Sequence, residues 1–127
     1  MPFSYRVDLN DNLMTMVGEG VVTQPERIAT LRQWFADPAF RADMPALCDF
    51  SKATSKPTMD ELRELIAIAA RARAGMTRGR IAVYTPAAAI FGVARQFQAM
   101  SGEGPLDVQV FRDRDLALTW LRSAGNP

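Results

Sequence analysis

The chain has no histidine and a single cysteine, Cys48, among its 127 residues. Those two shortages remove most of the common catalytic and metal-binding chemistry. Histidine is the side chain whose charge changes near neutral pH, and it is the usual general acid, general base and metal ligand. Its absence excludes Ser-His and Cys-His nucleophilic pairs and every His-containing zinc pattern. One thiol supplies neither an internal disulfide nor a thiolate cluster for zinc or iron–sulfur. An excess of charge is also missing. Fifteen basic residues against fourteen acidic ones leave a net charge of +1, too balanced for a nucleic-acid binder. No run of about 18 apolar residues and no N-terminal apolar signal segment occurs, so the expectation is a cytoplasmic protein without a membrane span. Neither G-x-x-x-x-G-K-[ST] nor G-x-G-x-x-G is found; Gly18-Glu19-Gly20 lacks the third glycine and the helix that should follow. Carboxylate, lysine and tyrosine chemistry remains, with no constellation to carry it. A non-catalytic protein without cofactor or metal is expected.

What is present describes one domain, residues 1–127. At 48% hydrophobic, a chain of this length buries about two thirds of its unfolded surface and needs no disulfide or metal to stay folded. Tyr5, Val7 and Leu9 alternate with Ser4, Arg6 and Asp8, which predicts a half-buried strand. Asn10-Asp11-Asn12 is a turn cluster, and Leu13 to Gly18 is the second arm of a hairpin. Thr23-x-x-Glu26 is a capping box that opens a helix burying Ile28, Leu31, Trp34 and Phe35 and ending near Asp37-Pro38. Ala46 to Phe50 reads as a short buried strand, with Cys48 as a small hydrophobe. Thr58-x-x-Glu61 is a second capping box, before the stripe Leu62, Leu65, Ile66 and Ala69, which runs up to Gly75. Ile81 to Tyr84 is a strand, and Thr85-Pro86 opens a helix burying Ile90, Ala94 and Phe97. Leu106 to Phe111 is the last strand. Asp113 caps a final helix with Leu116, Ala117, Trp120 and Leu121 inward.

The order ββαβαβαβα predicts an α/β fold, with an N-terminal hairpin leading into a mostly parallel five-stranded sheet. The last two strands alternate apolar and mixed residues, whereas a sheet covered on both faces reads as continuous apolar runs. Helices are therefore expected mainly on one face. The other is expected partly open at Tyr84 and Phe111, where a second copy of the chain, a partner or a ligand would sit.

The loop after Phe50 is the leading candidate site, because α/β proteins bind ligands where strands end above helix N-termini. Its candidates are Asp49, Ser51, Lys52, Thr54 and Thr58. A plainer reading stands beside each: Asp49 accepting loop amides near Ser51 and Thr54, Thr58 serving as a cap, Lys52 and Lys56 solvated. A hydrolase would use Asp49 with Lys52 or Tyr84. Arg71, Arg73, Arg78 and Arg80 read as a phosphate or headgroup site, or more simply as charge complementing a helix C-terminus. Six methionines besides Met1, together with Tyr84, Phe91 and Phe97, form an apolar cavity or simply a filled core.

The order, together with Leu47-Cys48-Asp49-Phe50-Ser51, resembles the STAS-like anti-sigma-factor antagonists with their SpoIIAA-like fold. A closer resemblance is to small bacterial STAS/SEC14 domain-containing proteins. It is carried by Gly20 to Thr23, Asp37-Pro38, Asp49, Phe91-Gly92-x-Ala94-Arg95, Val110-Phe111-x-Asp113 and Ala117-x-x-Trp120-Leu121, which together span nearly the whole chain. The resemblance implies a regulatory module that engages a protein partner, and the partly open face adds the expectation of a homodimer. Through the likeness of that group to CRAL-TRIO domains, it also implies a carrier of a small apolar or lipid-like ligand, with Tyr84, Phe91, Arg95 and Phe97 at the pocket. The phosphorylatable position of the antagonists falls on Thr58. There, however, an Asp-Ser-Ser-Gly sequence is replaced by Pro57-Thr58-Met59-Asp60, and Asp60 and Glu61 would repel a phosphate.

Overall fold

The computed structural model describes residues 2–41, 44–72, 79–101 and 106–123. Strands β1 (Phe3–Asp8) and β2 (Leu13–Gly20) form the N-terminal hairpin, with Phe3, Tyr5 and Val7 opposite Gly18, Met16 and Met14. Asn12 closes the turn at φ 49°, a left-handed conformation that asparagine tolerates better than most side chains. The elements that follow are α1 (Gln24–Ala36), β3 (Ala46–Ala53), α2 (Met59–Ala72), β4 (Gly79–Tyr84), α3 (Ala88–Ser101), β5 (Leu106–Phe111) and α4 (Arg114–Arg122).

Strands lie in the sheet in chain order, β1 antiparallel to β2 and all later pairs parallel. That order decides where the helices go. Each β-α-β crossover steps the same way along the sheet, and crossovers are almost always right-handed, so α1, α2 and α3 share one face. Against them pack Phe3, Met14, Met16, Ala46, Cys48, Ile81, Val83 and Val108. Helix α4 follows the last strand and folds onto the opposite face, where Ala117 and Leu121 bury against Leu47 and Ala82.

Both faces of the β3–β5 region are thus covered, which corrects the expectation of an open face there. Tyr84 and Phe111 are half-buried under α4, and the Phe111 ring lies 5.8 Å from Trp120. Exposed polar residues mark the uncovered part, on β1, at Ser4, Arg6 and Asp8. Leu116, expected inward, is 61% exposed; it stands to the side of the Ala117/Leu121 seam, in the first turn.

Local signals hold at the helix starts. Thr23 and Glu26 form a complete capping box. Thr58 and Glu61 form the same reciprocal pair, at 2.9 and 3.2 Å. Asp113 accepts from the amides of Asp115 and Leu116. Helix α1, however, is rotated from the hydrophobic reading: its buried residues are Arg27, Thr30 and Trp34, with Leu31 and Phe35 partly buried and packed against the core.

Candidate functional site

Between the sheet and the three helices lies an apolar cavity of about 140 Å³. Its floor is Met16, Gly18, Cys48, Phe50, Ile81 and Val83; its roof is Leu31 and Trp34 from α1, Leu62, Leu65 and Ala69 from α2, and Ile90, Val93, Ala94 and Phe97 from α3. Small residues at the facing positions keep it open, since Ala69 and Ala94 are buried and reach only one carbon beyond the helix backbone. Gly18 contributes from the sheet: a Cβ there would lie 3.1 Å from the Phe50 ring and 3.5 Å from Phe3, so the missing side chain gives the two rings their place.

The polar groups of the lining cluster at one end. Ser55 clamps the β3–α2 loop to the segment after β2, its Oγ accepting from Val22 N–H at 2.8 Å and donating to Val22 O at 3.1 Å. Arg27 lines the same cavity and is only 8% exposed. Among the described residues its guanidinium makes one hydrogen bond, Nη1 donating to Gln24 Oε1 at 3.3 Å. Gln24 is itself oriented by α2, its Nε2 donating to Glu61 O and Glu64 Oε1, both at 3.0 Å. Burial lowers the Arg27 pKa from its ordinary value, while the Glu61 and Glu26 carboxylates pull it back up. The charge remains, because a guanidinium does not deprotonate in this setting.

Of Tyr84, Phe91, Arg95 and Phe97, singled out for a pocket, only Phe97 lines the cavity. Tyr84 belongs to the α4 face. Phe91 carries the Arg112 guanidinium over its ring at 5.2 Å, and Arg95 is exposed on α3. Arg27 was missed because hydrophobic periodicity skips a charged residue; the signal lay in its spacing, four and seven residues before Leu31 and Trp34. The methionines divide: Met14 and Met44 are fully buried filling, Met16 lines the cavity, Met59 is 40% exposed, and Met76 lies outside the described residues.

The strand-end group is arranged differently from its sequence reading. β3 does not stop at Phe50 but continues to Ala53, because a register shift between Val17 and Glu19 lets it stay paired, Glu19 beside Lys52 and Gly20 beside Ala53. Asp49, on the α4 face, accepts from Ser51 N–H at 3.0 Å and Ser51 Oγ at 2.6 Å. Its other oxygen is 4.0 Å from Arg114 Nε, and Tyr84 is its neighbour across the ladder. Thr54 is exposed and donates its amide to Gly20 O at 2.8 Å. Asp49, Ser51 and Tyr84 therefore share one face, Lys52 projects into solvent beyond the bulge, and Thr58 sits apart as a cap. Arg80 is occupied by α4, donating to Trp120 O and Ser123 Oγ at 3.1 and 2.9 Å. Arg71 is exposed, while Arg73 and Arg78 lie outside the described residues. Among the described residues no group of three or more His, Cys, Asp or Glu could hold a metal. No described helix is long and apolar enough to cross a membrane.

Comparison with known proteins returns a fold. No family model matches the chain, and no curated protein matches it. A solved structure of an uncharacterised protein from the DUF3478 family, with a SpoIIAA-like fold, from Shewanella loihica PV-4, is similar to it at a TM-score of 0.62. The two are 14% identical over 94% of this chain and 91% of the other. At that identity the likeness establishes the architecture: an α/β SpoIIAA-like fold whose sheet is mixed rather than wholly parallel.

Proposed function

We propose that this SpoIIAA-like protein is a non-catalytic binding module, acting in the cytoplasm, that holds a small apolar molecule between its sheet and helices α1–α3. The observation that carries the reading is the cavity. Protein interiors pack like organic crystals, with few voids larger than a water molecule. An apolar cavity of about 140 Å³ is well above the water-sized voids of such an interior. Three facing helices each leave the space unfilled, two of them with buried alanines. Asp49 supports the non-catalytic part, since the contacts of its carboxylate are structural.

Native mass spectrometry of the purified protein, repeated after denaturation, tests the reading together with calorimetric titration of toluene. Either a retained molecule released by denaturation or saturable binding of toluene is expected. Protein that is empty and also inert to toluene refutes it. A second reading, a regulatory module that docks a protein partner or its own copy at the strand-end loop, is favoured by exposed apolar side chains beside that loop, Val21 at 68% and Met59 at 40%. Light scattering across a concentration series tests the self-association version; a monomer throughout removes it.

A further inference from the structure

We propose that Arg27 makes the cavity a site for a small organic carboxylate, with the carboxylate on the guanidinium and the apolar body among the helices. This rests on the cavity reading above and names its ligand class. Arg27 is more than nine-tenths buried and lines the cavity, yet four of its five N–H donors have no protein acceptor among the described residues. The two acids that influence it, Glu26 and Glu61, are held elsewhere. Glu26 accepts the amide and hydroxyl of Thr23 at 2.9 Å each, and Glu61 accepts the Thr58 amide at 2.9 Å. Neither forms an ion pair with Arg27.

Position adds a second, independent argument. Arg27 is in the first turn of α1, its own amide closing the helix onto Thr23 O, and cations are disfavoured at that end of the macrodipole. Through Gln24 it also sits against the first turn of α2 at Glu61. Parallel crossovers point the N-termini of α1 and α2 the same way, so two positive dipole ends and a guanidinium meet at this end of the cavity, opposed by the first-turn carboxylates Glu26, Asp60 and Glu61, of which Glu26 and Glu61 are engaged in the helix caps. An unfavourable dipole and an adjacent void are two local penalties at one residue, whose remaining N–H groups keep accessible surface and are free to take an acceptor. Conflicts of this kind concentrate at functional sites. An anion relieves the first, and its apolar body relieves the second. Arginine is suited to the task because its planar fork matches a carboxylate bidentately. The volume sets the body: about 140 Å³ is comparable to an engineered cavity of roughly 150 Å³ that binds benzene. The ligand class is an aromatic or short-chain monocarboxylate.

Isothermal titration at pH 7 of the full chain with benzoate, and separately with toluene, tests the assignment. Benzoate is expected to bind tighter than toluene by about ten- to hundredfold, the range of a charged hydrogen-bonded pair. Arg27→Met should remove that preference while leaving toluene binding intact, and Arg27→Lys should restore part of it. The wild-type comparison needs no variant, so misfolding of either variant leaves it decisive. Toluene binding with equal or weaker benzoate binding overturns the carboxylate assignment and spares the cavity reading. Binding of neither compound overturns both. Undiminished benzoate affinity in a folded Arg27→Met protein likewise overturns it.

Discussion

Replacing Ala94 with leucine tests whether the space under α3 is a void that a side chain can fill. Ala94 is buried and lines the cavity, and leucine is nearly as good a helix former as alanine, so the backbone need not respond. Three added carbons placed in apolar surroundings are worth about 2.4 kcal/mol at about 0.8 each. Ordering the new side chain costs roughly 0.5–1 kcal/mol, and imperfect fit takes a little more. The net expectation is a gain of about 1–1.5 kcal/mol in the ligand-free protein. Denaturant unfolding should show a higher midpoint with an unchanged slope, and the melting temperature should rise by about 4–6 °C, interpolating for a chain of this size. The same substitution should abolish toluene and benzoate binding, because the added carbons occupy the ligand's volume. A loss of more than about 1 kcal/mol would mean that the helices and sheet already meet at normal density there, and would refute both the void and the function built on it.

Other outcomes follow from neighbouring features. Thr58→Ala should cost about 1 kcal/mol through loss of the reciprocal bonds with Glu61, and a neutral result in urea denaturation would show that the cap is dispensable. Gly20 has φ +63° with open space around a would-be Cβ, so Gly20→Ala should destabilise by about 1 kcal/mol from backbone strain alone; unchanged stability contradicts the left-handed turn. Phe111→Asp should weaken the fold by about 2–3 kcal/mol by detaching α4; if it altered only self-association, Phe111 would belong to an open face after all. Tyr5 Oη donates to Asp37 Oδ2 at 2.8 Å, and the Ala39 amide and this hydroxyl hold the Asp37 pKa below its usual 3.8. A lowered acid stabilises fully above its unfolded pKa and loses that contribution as pH falls through its native value. Tyr5→Phe should therefore bring the Asp37 pKa part of the way back toward 3.8 in an NMR titration and weaken the loss of stability below about pH 4; an unmoved Asp37 would discount the bond.

The features legible in the chain were those that depend on near neighbours. Element order followed from the change between two-residue and 3.6-residue periods, and the helix starts from Thr23, Thr58 and Asp113 with their partners two or three residues on. The lack of histidine and the lone cysteine limited the chemistry before any fold was considered. Tertiary structure decided the rest. The mixed alternation of β4 and β5 reads as a partly open face, but α4 folds back to cover it, and the length and polarity of a strand do not say which later helix will cross it. The end of β3 moved from Phe50 to Ala53 because its partner Gly20 is more than thirty residues earlier. Arg27 shows the distinction most clearly. Nothing local turns an arginine inward; its orientation is set by Gln24, whose amide is fixed by Glu61 and Glu64 on α2. Capping and periodicity are interactions between residues three or four apart, and a sequence displays them directly. A cavity is what three helices and a sheet fail to fill together, so it exists only once they have been assembled.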